Sequence, residues 1–496
     1  MFHISDVKKY MRCPKMFWNA LHEVNSEPFM HFVRMDQAVT ELVLKKLKVQ
    51  DYYLGQRNDP TEKAMIASES IDWLVKARFE YEALRIKLPI MHHVKKQWDI
   101  YFIYTGLYPK NDDLHYYCSH VWVLQKLGFQ LGKIRIVHLN KDYVRENELD
   151  VDSLFLVSNE FYNAKGNPSG SITATIQSRV QNLSHILLEM NEVAHAESFY
   201  MGKNKQCIRK NRCTYYDLCF SEEKQGEEDS ILHLVSSQYK NEMLQQGIRQ
   251  MKDALLDKIE GSRQQFAQIM ASQNGGLFID RIALKNWLQT ELVYPLSFLD
   301  FEWETYAIPP YSGLKPFDVV PFQYSLHILQ KEQSLQHCEY IGVQDCREQF
   351  IQKLIQDIPK KGSIVAYNGE GAEKIRLIEL AEQFPAYSRQ LKEMCHRIVD
   401  LSIPFMNGLV YDIRMHGLYS LKVLLSVFSN EYDYANLDIH HGMDAVFKWR
   451  SLDKKEKTEE DIEQQLMDYC GMDTYAMVIL VQWLQKQARG NNNENL

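Results

Sequence analysis

From Tyr294-Pro295 onward the chain alternates between two hydrophobic periods, and this constrains its fold more than any other feature. Apolar runs at 296–301, 322–329 and 363–367 read as strands. Helix-period patterns at 344–357, 373–384, 418–428 and 460–487 stand between or after them. A strand needs neighbours for its backbone, and an amphipathic helix needs a surface to cover. One leading β-meander followed by alternation predicts a mixed α/β sheet with helices on its faces.

The first half is patterned differently. Residues 1–50 read as helices. Residues 98–107 and 133–139 read as strands, with a helix at about 115–128 between them. A stretch rich in Cys, Lys and Arg, 203–219, closes this block. Residues 228–290 look helical and polar, with Gly275-Gly276 as a break, and read as a connector. The expected domains are 1–225, a connector at 226–290, a second domain at 291–490 and a disordered tail at 491–496.

With 496 residues and 45% apolar content, two or three cores are within reach. No apolar run approaches the length of a membrane span, and the start shows no signal-peptide pattern. Nine cysteines are too few for a secreted disulfide scaffold and fit a reducing cytoplasm. The net charge of −8 is uneven: residues 1–220 carry 29 Lys+Arg against 25 Asp+Glu, and the remainder 28 against 40. A mildly basic half joined to an acidic one suits a nucleic-acid enzyme, or simply solvated surfaces.

Three segments carry chemistry. Leu296-Ser297-Phe298-Leu299-Asp300-Phe301-Glu302 is an apolar strand ending in Asp-x-Glu. Positions i and i+2 of a strand face one way, so Asp300 and Glu302 project together. They repel unless a cation lies between them; the bland reading is a solvated turn. Gly362-Ser363-Ile364-Val365-Ala366-Tyr367-Asn368 is a second strand, and Glu373 opens the helix after it. In Tyr469-Cys470-Gly471-Met472-Asp473, Tyr469 and Asp473 share a helix face.

In this order the three segments resemble the Exo motifs of DnaQ-like, four-carboxylate (DEDD) 3′–5′ exonucleases, over about 294–488. Asp300 and Glu302 match the first motif, and Tyr469 and Asp473 the third. Glu373 stands one place beyond the usual second-motif acid, with Glu370 as a rival, and Glu304 is an extra acid. The resemblance implies an RNase H-like mixed sheet flanked by helices. It also implies two Mg2+ or Mn2+ ions held by Asp300, Glu302, Glu373 and Asp473, with Asp300 bridging and Tyr469 orienting the attacking water. The substrate would be DNA or RNA, read as single-stranded. Lys422 either contacts phosphate or is a solvated lysine.

Longer runs, 298–310 and 321–327, resemble a little-characterised bacterial family in which a RecB-like nuclease domain precedes the DEDD-type domain. The opening segment from Ser5 to Trp18 resembles the first helix of RecB-like exonucleases that carry an iron–sulfur cluster. That resemblance implies a 4Fe-4S cluster on Cys13, Cys207, Cys213 and Cys219; zinc or free thiols are the alternatives. Lys203, Lys205, Arg209, Lys210 and Arg212 beside Cys207 would grip a phosphate backbone or be solvated. A RecB-like domain cuts with an Asp on one strand and Glu-x-Lys on the next. Here Pro89, Phe102 and Tyr104 occupy those places, and Thr40 stands where a helix often supplies His. The expectation is a nuclease fold that has lost its metal site. If the alignment slips, Asp99 or Asp112-Asp113 become the candidate ligands.

Overall fold

The computed structural model describes residues 1–22, 32–204, 206–207, 213–220, 228–429, 437–439, 442–452 and 459–489. The protein is mixed α/β and divides into two units, one of residues 1–220 with 307–317, the other of 221–306 with 318–496. Among the described residues no helix is long and apolar enough to cross a membrane.

In the first unit, the opening residues form helices Ile4–Arg12 and Pro14–His22. Asp6 accepts the His3 N–H at 2.9 Å at the start of the first, where an acid suits the helix dipole. Pro14 disfavours helical backbone at Cys13, which is extended and ends that helix. Strands Trp73–Tyr81, Leu84–Val94 and Gln97–Tyr104 form an antiparallel meander. Helix Leu114–Lys126 then crosses over, and strand Leu131–Leu139 returns parallel to Gln97–Tyr104. Pro89 lies buried inside Leu84–Val94. It cannot donate to the ladder, and the neighbouring strand skips a pairing there, with Lys76 at φ 50°.

In the second unit, strands β1 (Leu296–Thr305), β2 (Val319–Leu329) and β3 (Leu335–Ile341) form the expected meander. Strands β4 (Ile364–Ala366) and β5 (Ile398–Asp400) add in parallel on the other side of β1, giving the order β3-β2-β1-β4-β5. Alternation along β1 sends Leu299 and Phe301 to one face, against α1 (Arg347–Asp357) and α2 (Glu373–Gln383). Leu296 and Phe298 face the opposite way. There α3 (Leu421–Phe428) and α5 (Glu459–Arg489) cover them, while α4 (Gly442–Leu452), which periodicity had not suggested, packs against α5. The buried stripe of α5 runs Leu466, Cys470, Asp473, Met477, Leu480, Leu484, at spacings of three and four.

Residues 228–290 differ from the connector expected of them. They form helices Lys240–Gln245, Arg263–Gln273 and Arg281–Glu291, with short 3-10 turns and a strand, Leu277–Ile279, paired to Val410–Asp412. Ile231, Leu234, Met243, Met251, Ala271 and Leu284 are fully buried in the core of the second unit. Their apolar residues are too sparse along the sequence to announce a core; they bury because the fold surrounds them. The tail 491–496 lies outside the described residues.

Candidate metal centre

Strand β1 carries Asp300 and Glu302 on the face that α5 covers, continuing the line Leu296–Phe298. Asp473 meets them from the buried stripe of α5. One ligand oxygen from each of the three lies within 4.8 Å of the others, the one such group of His, Cys, Asp or Glu among the described residues. Glu302 and Asp473 are each only 9% exposed. At such a separation each pair of carboxylates repels by about 3 kcal/mol at an effective dielectric of ~20. Without a cation, some of them must therefore hold protons. Burial, then Asp473, Glu373 and Glu302, push the Asp300 carboxyl well above the usual range. Burial and Asp473 push Glu302 up to about 8, against the opposing pull of Lys422.

The turn after β4 treats Glu370 and Glu373 differently. Asn368 takes a left-handed φ of 58°, and its N–H donates to Asp400 Oδ1 at 2.9 Å. The Ser402 N–H donates to the same oxygen at 2.8 Å. The chain then enters α2 with Glu373 in its first turn, 2% exposed. Burial pushes Glu373 up to about 8, while the N–H groups of Glu373 itself and Phe301 oppose the shift. Its Oε2 is enclosed and has no hydrogen-bond partner. Glu370 is exposed and paired with Lys374 at 2.8 Å. Glu304, the extra acid, is drawn off by Arg450 at 2.5 Å, beyond a bulge that follows Glu302.

Tyr469, one turn before Asp473, is 5% exposed, and burial followed by the charges of Asp473, Glu302 and Asp300 raises its hydroxyl. Lys422 Nζ lies 3.4 Å from the Tyr469 hydroxyl and 4.9 Å from its ring centre. It belongs to the site rather than to an open surface. Cys470, a buried residue between Tyr469 and Asp473 in sequence, reaches Asp300 Oδ2 at 3.5 Å.

In the first unit, the positions that the sequence resemblance assigns to a metal site are filled otherwise. Phe102 is fully buried, with the rings of Tyr117, His120 and Tyr116 at 4.7, 5.3 and 5.7 Å. His120 Nδ1 and Nε2 lie 2.8 and 3.1 Å from the carbonyl oxygens of Tyr116 and Lys87. Thr40 is buried. Asp99 pairs with Arg135 at 2.9 Å and accepts the Lys133 N–H at 2.7 Å, and Asp113 pairs with Lys8 at 3.1 Å.

Cys13, Cys207, Cys213 and Cys219 are all free thiols. Burial, followed by Cys13 and Cys213, raises Cys207; Cys13 and Cys213 likewise act on Cys219 after its burial. The Cys213 N–H donates to the Cys207 carbonyl at 3.1 Å. Asn19 Nδ2 and the Asn204 N–H reach the sulfurs of Cys219 and Cys207 at 3.4 and 3.5 Å. Lys203 sits over the rings of Phe220 and Tyr216, at 5.0 and 5.2 Å. Lys205, Arg209, Lys210 and Arg212 lie outside the described residues.

A family model described as a domain of unknown function (DUF2779) matches residues 297–420. The match takes in Asp300, Glu302 and Glu373 and stops short of Lys422, Tyr469 and Asp473. No curated protein and no solved structure matches the chain.

Proposed function

We propose that the second unit is a divalent-metal-dependent 3′–5′ exonuclease of the DnaQ-like, DEDD type, acting on DNA or RNA. The observation that carries this is the convergence of Asp300, Glu302 and Asp473 with a buried Glu373 whose Oε2 has no partner. Such a donor set fits hard cations: it is all oxygen, largely buried and strained by its own charge. The mixed sheet led by a meander accords with the RNase H-like fold that the resemblance implies.

When bound, two Mg2+ or Mn2+ ions activate a water and neutralise charge on the phosphoryl group and the leaving oxygen. Asp300, as the central ligand, would hold the ions together with Glu302, Glu373 and Asp473. The Tyr469 hydroxyl orients the water. Lys422, beside that hydroxyl, faces the phosphate. Attack forms a water O–P bond and breaks the P–O3′ bond. A nucleoside 5′-monophosphate leaves and a new 3′-hydroxyl remains.

In the first unit, the four cysteines hold a 4Fe-4S cluster, and the unit grips substrate without cutting it. The N–H···S contacts to Cys207 and Cys219 suit sulfurs that carry negative charge in such a cluster. The exonuclease reading is tested with purified protein and end-labelled single- and double-stranded DNA and RNA, with manganese and with EDTA. Metal-dependent shortening from the 3′ end is expected. Inertness toward all four substrates with manganese present overturns it.

A further inference from the structure

Strand β2 is buried along its whole length, yet Gln323, Ser325 and His327 place polar side chains at every second position. These positions share one face. Two of the three are satisfied there. Ser325 bonds His337 and Thr474 at 2.9 and 2.7 Å, and His327 bonds Thr474 at 2.8 Å. Gln323 is different. Its Nε2 donates to the Leu466 carbonyl of α5 at 2.7 Å. A carbonyl only accepts, so the amide nitrogen must be the atom turned to the helix. That leaves Oε1, on a side chain 1% exposed, enclosed and without a donor.

The position of this oxygen explains what it lacks. Gln323 is the direct cross-strand partner of Glu302, and the β1 bulge begins only after that pair. Side chains so paired emerge on one face, with Cβ atoms about 4.5–5.5 Å apart. On the helix side, Leu466 precedes Tyr469 by one turn and Asp473 by two, on the same buried stripe. Gln323 therefore stands beside the carboxylates, tied down at its nitrogen and open at its oxygen.

We propose that Gln323 Oε1 is a further oxygen donor to the divalent cation held by Glu302 and Asp473. This rests on reading the cluster as a cation site. Amide carbonyls are ordinary ligands of hard cations. A neutral donor adds ligation without another negative charge where the acids already repel. Charged-residue patterns do not reveal it, because Gln is not among the residues such patterns use.

The test is Mn2+ binding to the full chain, by calorimetry and by electron paramagnetic resonance of the free ion. Asp300→Asn serves as the control that binding is at the cluster. Gln323→Met keeps the length and loses both polar atoms, and should weaken Mn2+ binding by about tenfold, the scale for groups supporting a metal site. Gln323→Glu also loses the tie to Leu466 but gains a carboxylate, and should bind Mn2+ more tightly than the native protein. A purely structural role predicts that both variants weaken it alike. Native affinity in Gln323→Met, or weakened affinity in Gln323→Glu, overturns this inference and leaves the exonuclease reading standing. Absence of any Mn2+ binding that Asp300→Asn abolishes overturns both.

Discussion

The two units place opposite chemistry at the strand positions that the sequence resemblances single out. In the second, Asp300 is half-buried beside the buried Glu302 and Asp473, Glu373 is buried near them, and the carboxyls of Asp300, Glu302 and Glu373 are driven upward. In the first, Phe102 fills the space with three neighbouring rings, and Pro89 stands in the adjoining strand. Burial of charge is costly unless something answers it, whereas burial of an aromatic ring is favourable by itself. One region buries charge that only a cation or protons can answer; the other buries aromatic rings that need no answer.

The sharpest way to break this comparison is to exchange loss of activity for loss of stability. Asp300→Asn should lower exonuclease rate by three orders of magnitude or more, since it removes a carboxylate that would hold the ions. Phe102→Ala, at a fully buried position, should leave the rate per folded molecule within about twofold yet cost about 3–5 kcal/mol in denaturant unfolding. If Asp300→Asn with Asp473→Asn still cleaves with metal, and adding Asp99→Ala abolishes that cleavage, the first unit is the nuclease and the comparison is reversed.

Metal content separates the units a second way. Anaerobically purified protein should be brown and absorb near ~400 nm from thiolate-bound iron. Cys13→Ser or Cys213→Ser should lose that colour, while Mn2+ binding at the carboxylates persists. Zinc, or no metal, at the four thiols refutes the cluster.

The units should also respond to pH with opposite signs. Glu302 and Glu373 titrate at about 8 when folded, against an ordinary 4.5. The folded form then holds protons that the unfolded chain has released. Stability of the metal-free second unit falls as pH rises from about 4.5 to about 8. His120 runs the other way: burial lowers it from 6.5 to about 4, so the folded first unit holds it neutral and loses stability as pH falls through that window. Thermal melts of metal-free protein at pH 5.5, 6.5 and 8, an order-of-magnitude grid around these values, should show shifts of a few degrees in each direction. Mn2+ should remove the loss at high pH. Equal slopes in both transitions would break the pairing.

The smallest expected effect fixes which acid belongs to the site. Glu370→Gln breaks an exposed pair with Lys374, and should change stability by less than about 1 kcal/mol and rate by less than about twofold. Glu373→Gln should lower the rate by about a hundredfold or more. A reversal in the same end-labelled assay would move the second motif to Glu370.

The sequence by itself determined the class of the fold. The meander, the alternation after it and the long final helix are local periodicities, and a 3.6-residue or two-residue period survives in the chain whatever surrounds it. It also determined that Asp300 and Glu302 project together, and that Tyr469 and Asp473 share a helix face. What it did not decide is which distant groups meet. Glu373 and Glu370 differ by less than one helical turn, and only the Asn368 turn, held by Asp400, buries one and leaves the other in water. Glu304 reads as one more acid until Arg450, 146 residues away, draws it off. Lys422 reads as a surface lysine until α3 brings it to Tyr469. Residues 228–290 read as a connector until the second unit's core closes around them. Gln323 carries no motif, and its unpartnered oxygen exists only because β2 and α5 enclose it. Periodicity is a property of neighbours along the chain. Protonation, pairing and desolvation belong to neighbours in space, and those are set only when the chain has folded.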